Sequence, residues 1–142
     1  MGKRILVPVD GSEQSNKALS YVLTEFPDAE TTLINVIDPI DVGYSSTVGM
    51  PGYSEEWYEE SKATAEELFE EAQKTGDEHG TTFSTATELG RPSQVIVNYA
   101  EENDFDQIVM GSHGRSGVSR ILLGSVAETV VRRSPMPVTV VR

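Results

Sequence analysis

The sequence predicts an α/β domain built as an open, doubly wound parallel sheet. Three observations predict it. Short apolar runs rich in β-branched residues recur along the chain, stretches with one apolar helical face separate them, and glycine-containing turns follow the first and fourth runs. Near-continuous apolar runs are the mark of strands buried on both faces, as in parallel sheets. Alternation of strand and helix gives right-handed crossovers onto one sheet. Five strands suit an open sheet rather than a barrel. With 142 residues the chain is long enough to bury a real core, and it has no internal repeat, so residues 1–142 are expected to be one domain.

The first strand is Ile5-Leu6-Val7-Pro8-Val9. Ala18, Leu19, Val22, Leu23 and Phe26 then fall on one helical face, with Ser12 placed to cap that helix. Leu33, Ile34, Val36 and Ile37 mark the second strand. Residues 54 to about 79 form a strongly acidic helix with Ser61, Ala65, Leu68, Phe69 and Ala72 inward, and Gly80 is its expected stop. Residues 81–87 alternate weakly and are rich in Thr, as an edge strand would be. Val95, Ile96, Tyr99 and Ala100 mark the next helix, opened by Pro92-Ser93, and Ile108-Val109-Met110 the fourth strand. Leu122, Leu123, Val126, Ala127, Val130 and Val131 outline a last helix before Pro135, and Val138, Val140 and Val141 a last strand. The long connection, residues 38–53, is rich in Gly, Ser and Tyr; loops of that length are more often functional than idle.

Composition removes several function classes. There are no cysteines, so a disulfide scaffold, Cys-ligated zinc, iron–sulfur clusters and a thiol nucleophile are excluded, and two histidines cannot make a His-rich metal site. The apolar runs are far shorter than the roughly 20 residues that span a bilayer, and residues 5–9 are too few for a signal-peptide core. The expectation is a soluble, cytoplasmic protein. Its net charge is −12, split unevenly: −16 over residues 1–110 and +4 over residues 111–142. The acidic bulk argues against nonspecific nucleic-acid partners and anionic membranes. Four lysines among many acids suit a salt-rich cytoplasm, with an ordinary acidic mesophile protein as the alternative.

In open parallel sheets ligands sit beyond the carboxyl ends of the strands. Asp10-Gly11-Ser12 follows the first strand, and Gly111-Ser112-His113-Gly114-Arg115-Ser116-Gly117 follows the fourth, with a helix beginning near Gly124-Ser125. Glycines let backbone N–H groups approach an anion closely, and a helix N-terminus adds orphan donors and a favourable dipole. The Ser125 hydroxyl and Arg115 or Arg120 would add further bonds. The phosphate fingerprints Gly-x-x-x-x-Gly-Lys-Ser/Thr and Gly-x-Gly-x-x-Gly are both absent, as is Gly-x-Ser-x-Gly, which disfavours a P-loop NTPase, a dinucleotide fold and an α/β-hydrolase.

Gly111-x-x-Gly114, then nine residues, then Gly124-Ser125 resembles the nucleotide motif of the universal stress protein family. The likeness extends to ILVPVDGS at residues 5–12, to Glu88-Leu89-Gly90-Arg91-Pro92, to DQIVMGSHGRSG at residues 106–117, and to the closing residues 137–142. The resemblance implies a five-stranded sheet of order 3-2-1-4-5, the adenine nucleotide alpha hydrolase-like arrangement. It also implies membership of the ATP-binding subgroup and a homodimer through residues 138–141. Carried over by position, the backbone of Gly111, Gly114, Arg115, Gly124, Ser125 and Val126 would hold phosphates. Pro8 and Asp10 would line the ribose, Val36 would meet adenine through its backbone, and Met110 would lie beneath the nucleotide. Such a protein binds ATP as a nucleotide-responsive regulator, with AMP or a cyclic nucleotide as alternative ligands and Mg2+ as a companion of the phosphates.

Each residue also has a plainer reading. Asp10 would cap the first helix, Met110 and Val36 would be core, and His113 would hydrogen-bond within its own loop rather than act as a base. Trp57, Tyr53 and Tyr58 would be helix–sheet packing, a lid or an interface. No Walker lysine, paired carboxylates or water-activating base is visible, so a binding module is expected, with a weak ATPase or autophosphorylating enzyme as the alternative. A last strand at the sheet edge would expose an apolar ladder, which antiparallel pairing with a second copy would cover.

Overall fold

The computed structural model describes residues 2–39, 55–113 and 123–142. Strands and helices alternate: β1 (Arg4–Pro8), α1 (Glu13–Glu25), β2 (Glu30–Ile37), α2 (Glu55–Glu78), β3 (Ser84–Leu89), α3 (Pro92–Glu102), β4 (Gln107–Gly111), α4 (Ser125–Arg133) and β5 (Val138–Val141). All strand pairs are parallel, in the order β3-β2-β1-β4-β5, as the family resemblance implies.

The β-branched runs sit where both sheet faces are covered. Ile5, Leu6 and Val7 of β1 and Ile108 and Val109 of β4 have no exposed surface. Side chains alternate between two cores, as the strand period of two requires. Ile5, Val7, Leu33 and Val109 join Ala18, Leu19 and Val22 of α1 and Ala65, Phe69 and Ala72 of α2. Leu6, Ile34, Ile108 and Met110 join Ile96 and Val97 of α3 and Ala127 and Val130 of α4. So α1 and α2 cover one face, and α3 and α4 the other. The switch point lies between β1 and β4.

Local chemistry sets the helix ends. The Ser15 N–H donates to Ser12 Oγ at 3.1 Å, so Ser12 caps α1 as the sequence predicts. Gly80, at φ +71°, follows the end of α2 and lets the chain turn away.

Two boundaries differ from the sequence expectation. The third strand is Ser84–Leu89, not residues 81–87. The end of α2 claims the earlier residues: Thr81 N–H donates to the Gly76 carbonyl at 2.8 Å, and Phe83 N–H to Gln73 Oε1 at 3.1 Å. It is nevertheless an edge strand, as its Thr content indicates. The last helix starts at Ser125 with Gly124 as its N-cap, where the turn reading put it, so Leu123, assigned to the helix by periodicity, precedes it and is exposed; Leu122 lies outside the described residues. Val131, placed on the inner face by periodicity, is also exposed.

Candidate functional site

The sheet opens at its carboxyl end because β1 loses both neighbours there. In a parallel ladder, alternate residues face opposite neighbours. Val9 N–H donates to the Ile34 carbonyl at 2.9 Å, so residues 7 and 9 face β2, and residues 6 and 8 face β4. Residue 8 is Pro, which has no N–H to donate. The β1–β4 ladder accordingly covers only Ile5↔Gln107 and Leu6↔Ile108. On the other side, the Val9 carbonyl accepts from Asn35 Nδ2 at 2.8 Å and is taken out of the β2 ladder. Val36 therefore turns its N–H and C=O to the side where β1 has ended, while Ile37, whose carbonyl accepts from Gly90 N–H, faces β3.

A cavity of about 530 Å3 fills this opening, a size suited to a small molecule. It brings together Pro8, Asp10, Val36, Met110, Gly111, Gly124, Ser125 and Val126, eight of the ten residues singled out from the sequence. Gly114 and Arg115 lie outside the described residues, as does Arg120.

Each wall has a local cause. After β1, Gly11 adopts φ +81°, a conformation that favours glycine, and Ser12 N–H donates to Asp10 Oδ1 at 2.9 Å. The carboxylate thus shapes the turn that presents Ser12 as the cap; Asp10 is both a cavity residue and part of the cap. After β4, the Ser112 carbonyl accepts from Gly124 N–H at 2.7 Å, which ties the start of α4 to the end of β4. The cap residue Gly124 has no side chain to offer α4, and its carbonyl accepts from Glu128 N–H at 2.9 Å. The N–H groups of Ser125, Val126 and Ala127, all cavity-lining residues, have no partner within the helix, and the positive end of its dipole lies behind them. His113 lines the cavity too, and its Nδ1 lies 3.2 Å from Ser112 Oγ, a bond within its own loop.

Gly111 answers a demand that the motif conceals. A Cβ there would stand 2.8 Å from the carbonyl carbon and Cβ of Gln14 in α1. Its missing side chain admits the helix, whatever else approaches its backbone.

Sequence reasoning missed part of the lining. Asn35 was legible as an amide inside an apolar strand, which needs a partner when buried. Trp57, Ser61, Thr64 and Leu68 of α2 make a further wall, and Pro92 and Ile96 of α3 another. Helical periodicity put Ser61 and Leu68 inward, but not against a cavity rather than a core. Among the described residues, no cluster of three or more His, Asp or Glu is placed to hold a metal ion, and no helix is long and apolar enough to cross a membrane.

The sequence model of the universal stress protein family matches residues 1–142. The universal stress protein MJ0531 of Methanocaldococcus jannaschii is 39% identical over 145 residues, covering 99% of this chain and 82% of its own. MJ0577 of the same organism is 34% identical over 155 residues, covering 100% and 96%. Its solved structure superposes with a TM-score of 0.84, covering 99% and 96%. A universal stress protein from Archaeoglobus fulgidus, solved in complex with dAMP, shares the fold at 22% identity and a TM-score of 0.69, covering 99% and 98%. The alternating strands, the crevice at the switch point and end-to-end matches lead to one assignment: this chain belongs to the universal stress protein family.

Proposed function

We propose that this chain binds ATP at the crevice and acts as a nucleotide-responsive regulator of the stress response. One observation carries the reading: a single cavity has an open strand edge at Val36 and a helix start at Ser125 whose cap residue, Gly124, brings no side chain. Adenine presents an acceptor, N1, beside a donor, the exocyclic amine, and the Val36 N–H and C=O complement that pair. Phosphates suit the other end, where orphan amides and the helix dipole favour an anion. Pro8 and Asp10 lie between, at the ribose, with Met110 beneath. Gly114 and Arg115 complete the phosphate site by the family motif. The Archaeoglobus fulgidus protein of the same fold was solved in complex with dAMP, which supports an adenine nucleotide as the ligand class.

Magnesium commonly uses one or two carboxylates plus phosphate oxygens. Asp10 is a cavity carboxylate that fits that pattern, so the ion would arrive with the phosphates. Ser112 and His113 bond within their own loop, and Ser112 is buried and does not line the cavity, so we read the role as binding, with ATP occupancy changing partner affinity. This reading places the protein in the cytoplasm, where ATP is supplied. AMP and cyclic nucleotides compete for the same donors.

Isothermal titration tests the reading. Saturable binding of one ATP per chain is expected, and no heat at millimolar ATP overturns it.

We also propose a homodimer. β5 is a sheet edge, and Val138, Val140 and Val141 are only half-buried. Antiparallel pairing with the same strand of a second copy satisfies the edge and covers those side chains with two-fold symmetry. Light scattering is expected to give a dimer for the wild type and a monomer for Val140→Glu; a monomeric wild type at tens of micromolar contradicts it.

A further inference from the structure

We propose that Trp57 forms one face of the nucleobase slot, stacking on the base and fixing which end of the cavity it occupies. The inference rests on the nucleotide reading above and assigns that site a residue outside the glycine motif.

Trp57 is half-buried and begins a stripe, Trp57, Ser61, Thr64 and Leu68, that lines the cavity along one face of α2. The helix runs against the strands, from the carboxyl end of β2 back to the amino end of β3. Its first turn therefore stands at the carboxyl end of the sheet, where Trp57 lines the same cavity as Val36. Leu68 lies deeper, with its Cδ2 within 2.9 Å of where a Cβ on Gly11 would be. α2 packs on β2, β3 and α1, so Trp57 is on the β2 side of the crevice, and the start of α4 is across it beyond β4.

Charge separates the two ends in the same sense. Glu55, Glu56, Glu59 and Glu60 surround Trp57 on α2, which disfavours phosphate there. The α4 amides favour it at the far end. A neutral, planar group is what the α2 end accepts. Pro92 and Ile96 supply an apolar wall from the other layer of the sheet. An aromatic face serves any base, and stacking is worth roughly 5- to 150-fold in affinity.

Trp57 is the only tryptophan, so indole emission reports this position alone. Intact protein is titrated with ATP by fluorescence and calorimetry, beside Trp57→Phe and Trp57→Ala, and inorganic triphosphate serves as a ligand without a base. ATP is expected to change the indole emission with the same midpoint as the heat. Trp57→Phe should stay within about 3-fold of wild type, and Trp57→Ala should bind ATP about 10-fold more weakly with triphosphate affinity unchanged. If ATP gives no heat with wild type, the nucleotide reading fails. If ATP binds but the emission is unmoved and Trp57→Ala keeps wild-type affinity, the Trp57 assignment alone fails. Equal loss of ATP and triphosphate in Trp57→Ala also overturns it, because the residue would then be supporting the fold.

Discussion

ATP is expected to bind at least about 30-fold more tightly than GTP, with no substitution in the protein at all. The open edge at Val36 consists of one backbone N–H and one C=O. Guanine reverses both partners: its N1 carries a hydrogen, and its O6 accepts. A guanine seated there would set donor against donor and acceptor against acceptor. Each polar group left unmet in a closed site costs about 1–3 kcal/mol, so two cost about 2–6 kcal/mol. Side-chain substitution cannot change these groups, so the preference should survive Val36→Ala to within a few-fold. Competition calorimetry against ATP measures it. Equal affinity for the two nucleotides would place the base elsewhere in the cavity.

Gly111→Val is expected to destabilise the protein by about 3 kcal/mol and lower its melting temperature by roughly 6–12 °C. Gly111 is buried, and an added Cβ would meet the Gln14 backbone of α1 at 2.8–2.9 Å. A flexible side chain could swing aside, but a helix backbone cannot, so α1 would have to lift from β4 and β5. Both strands pack against it, and the Leu19 and Val22 contacts of the first core would loosen with them. Thermal melts followed by circular dichroism test this. An unchanged melting temperature would mean that α1 shifts without cost. The residue belongs to the phosphate motif by sequence, yet its largest measurable effect should be on folding.

The fold was legible because its signals are redundant. The run from Ile5 to Val9 is apolar at every position, and only a strand covered on both faces needs that. Ser12 announced a helix start, and Gly80 a stop, through backbone chemistry that acts over three or four residues. Legibility failed where a distant element intervened. Thr81 and Phe83 look like strand by composition, but the end of α2 takes their N–H groups. Val131 fits the helical period, yet it is 45% exposed.

The site was half legible. Gly111, Gly124 and Ser125 carry a spacing that marks them, and Pro8 and Asp10 sit where strand ends must be. Asn35 carried only the mark of an amide in an apolar strand, Trp57 and Ser61 only a place on α2, and Thr64 none. Their importance comes from which strand edge or wall they reach, and spacing along the chain does not encode that.

By itself, then, the sequence determined the alternation of strands and helices, the family, and the position of the glycine motif. These depend on periodicity and on residues close together in the chain. Only the tertiary structure decided how the crevice opens. Pro8 withholds an N–H from β4, and Asn35 diverts the Val9 carbonyl from Val36. Both acts have meaning only once three strands are side by side, because a missing or redirected hydrogen bond is defined by the neighbour it fails to reach.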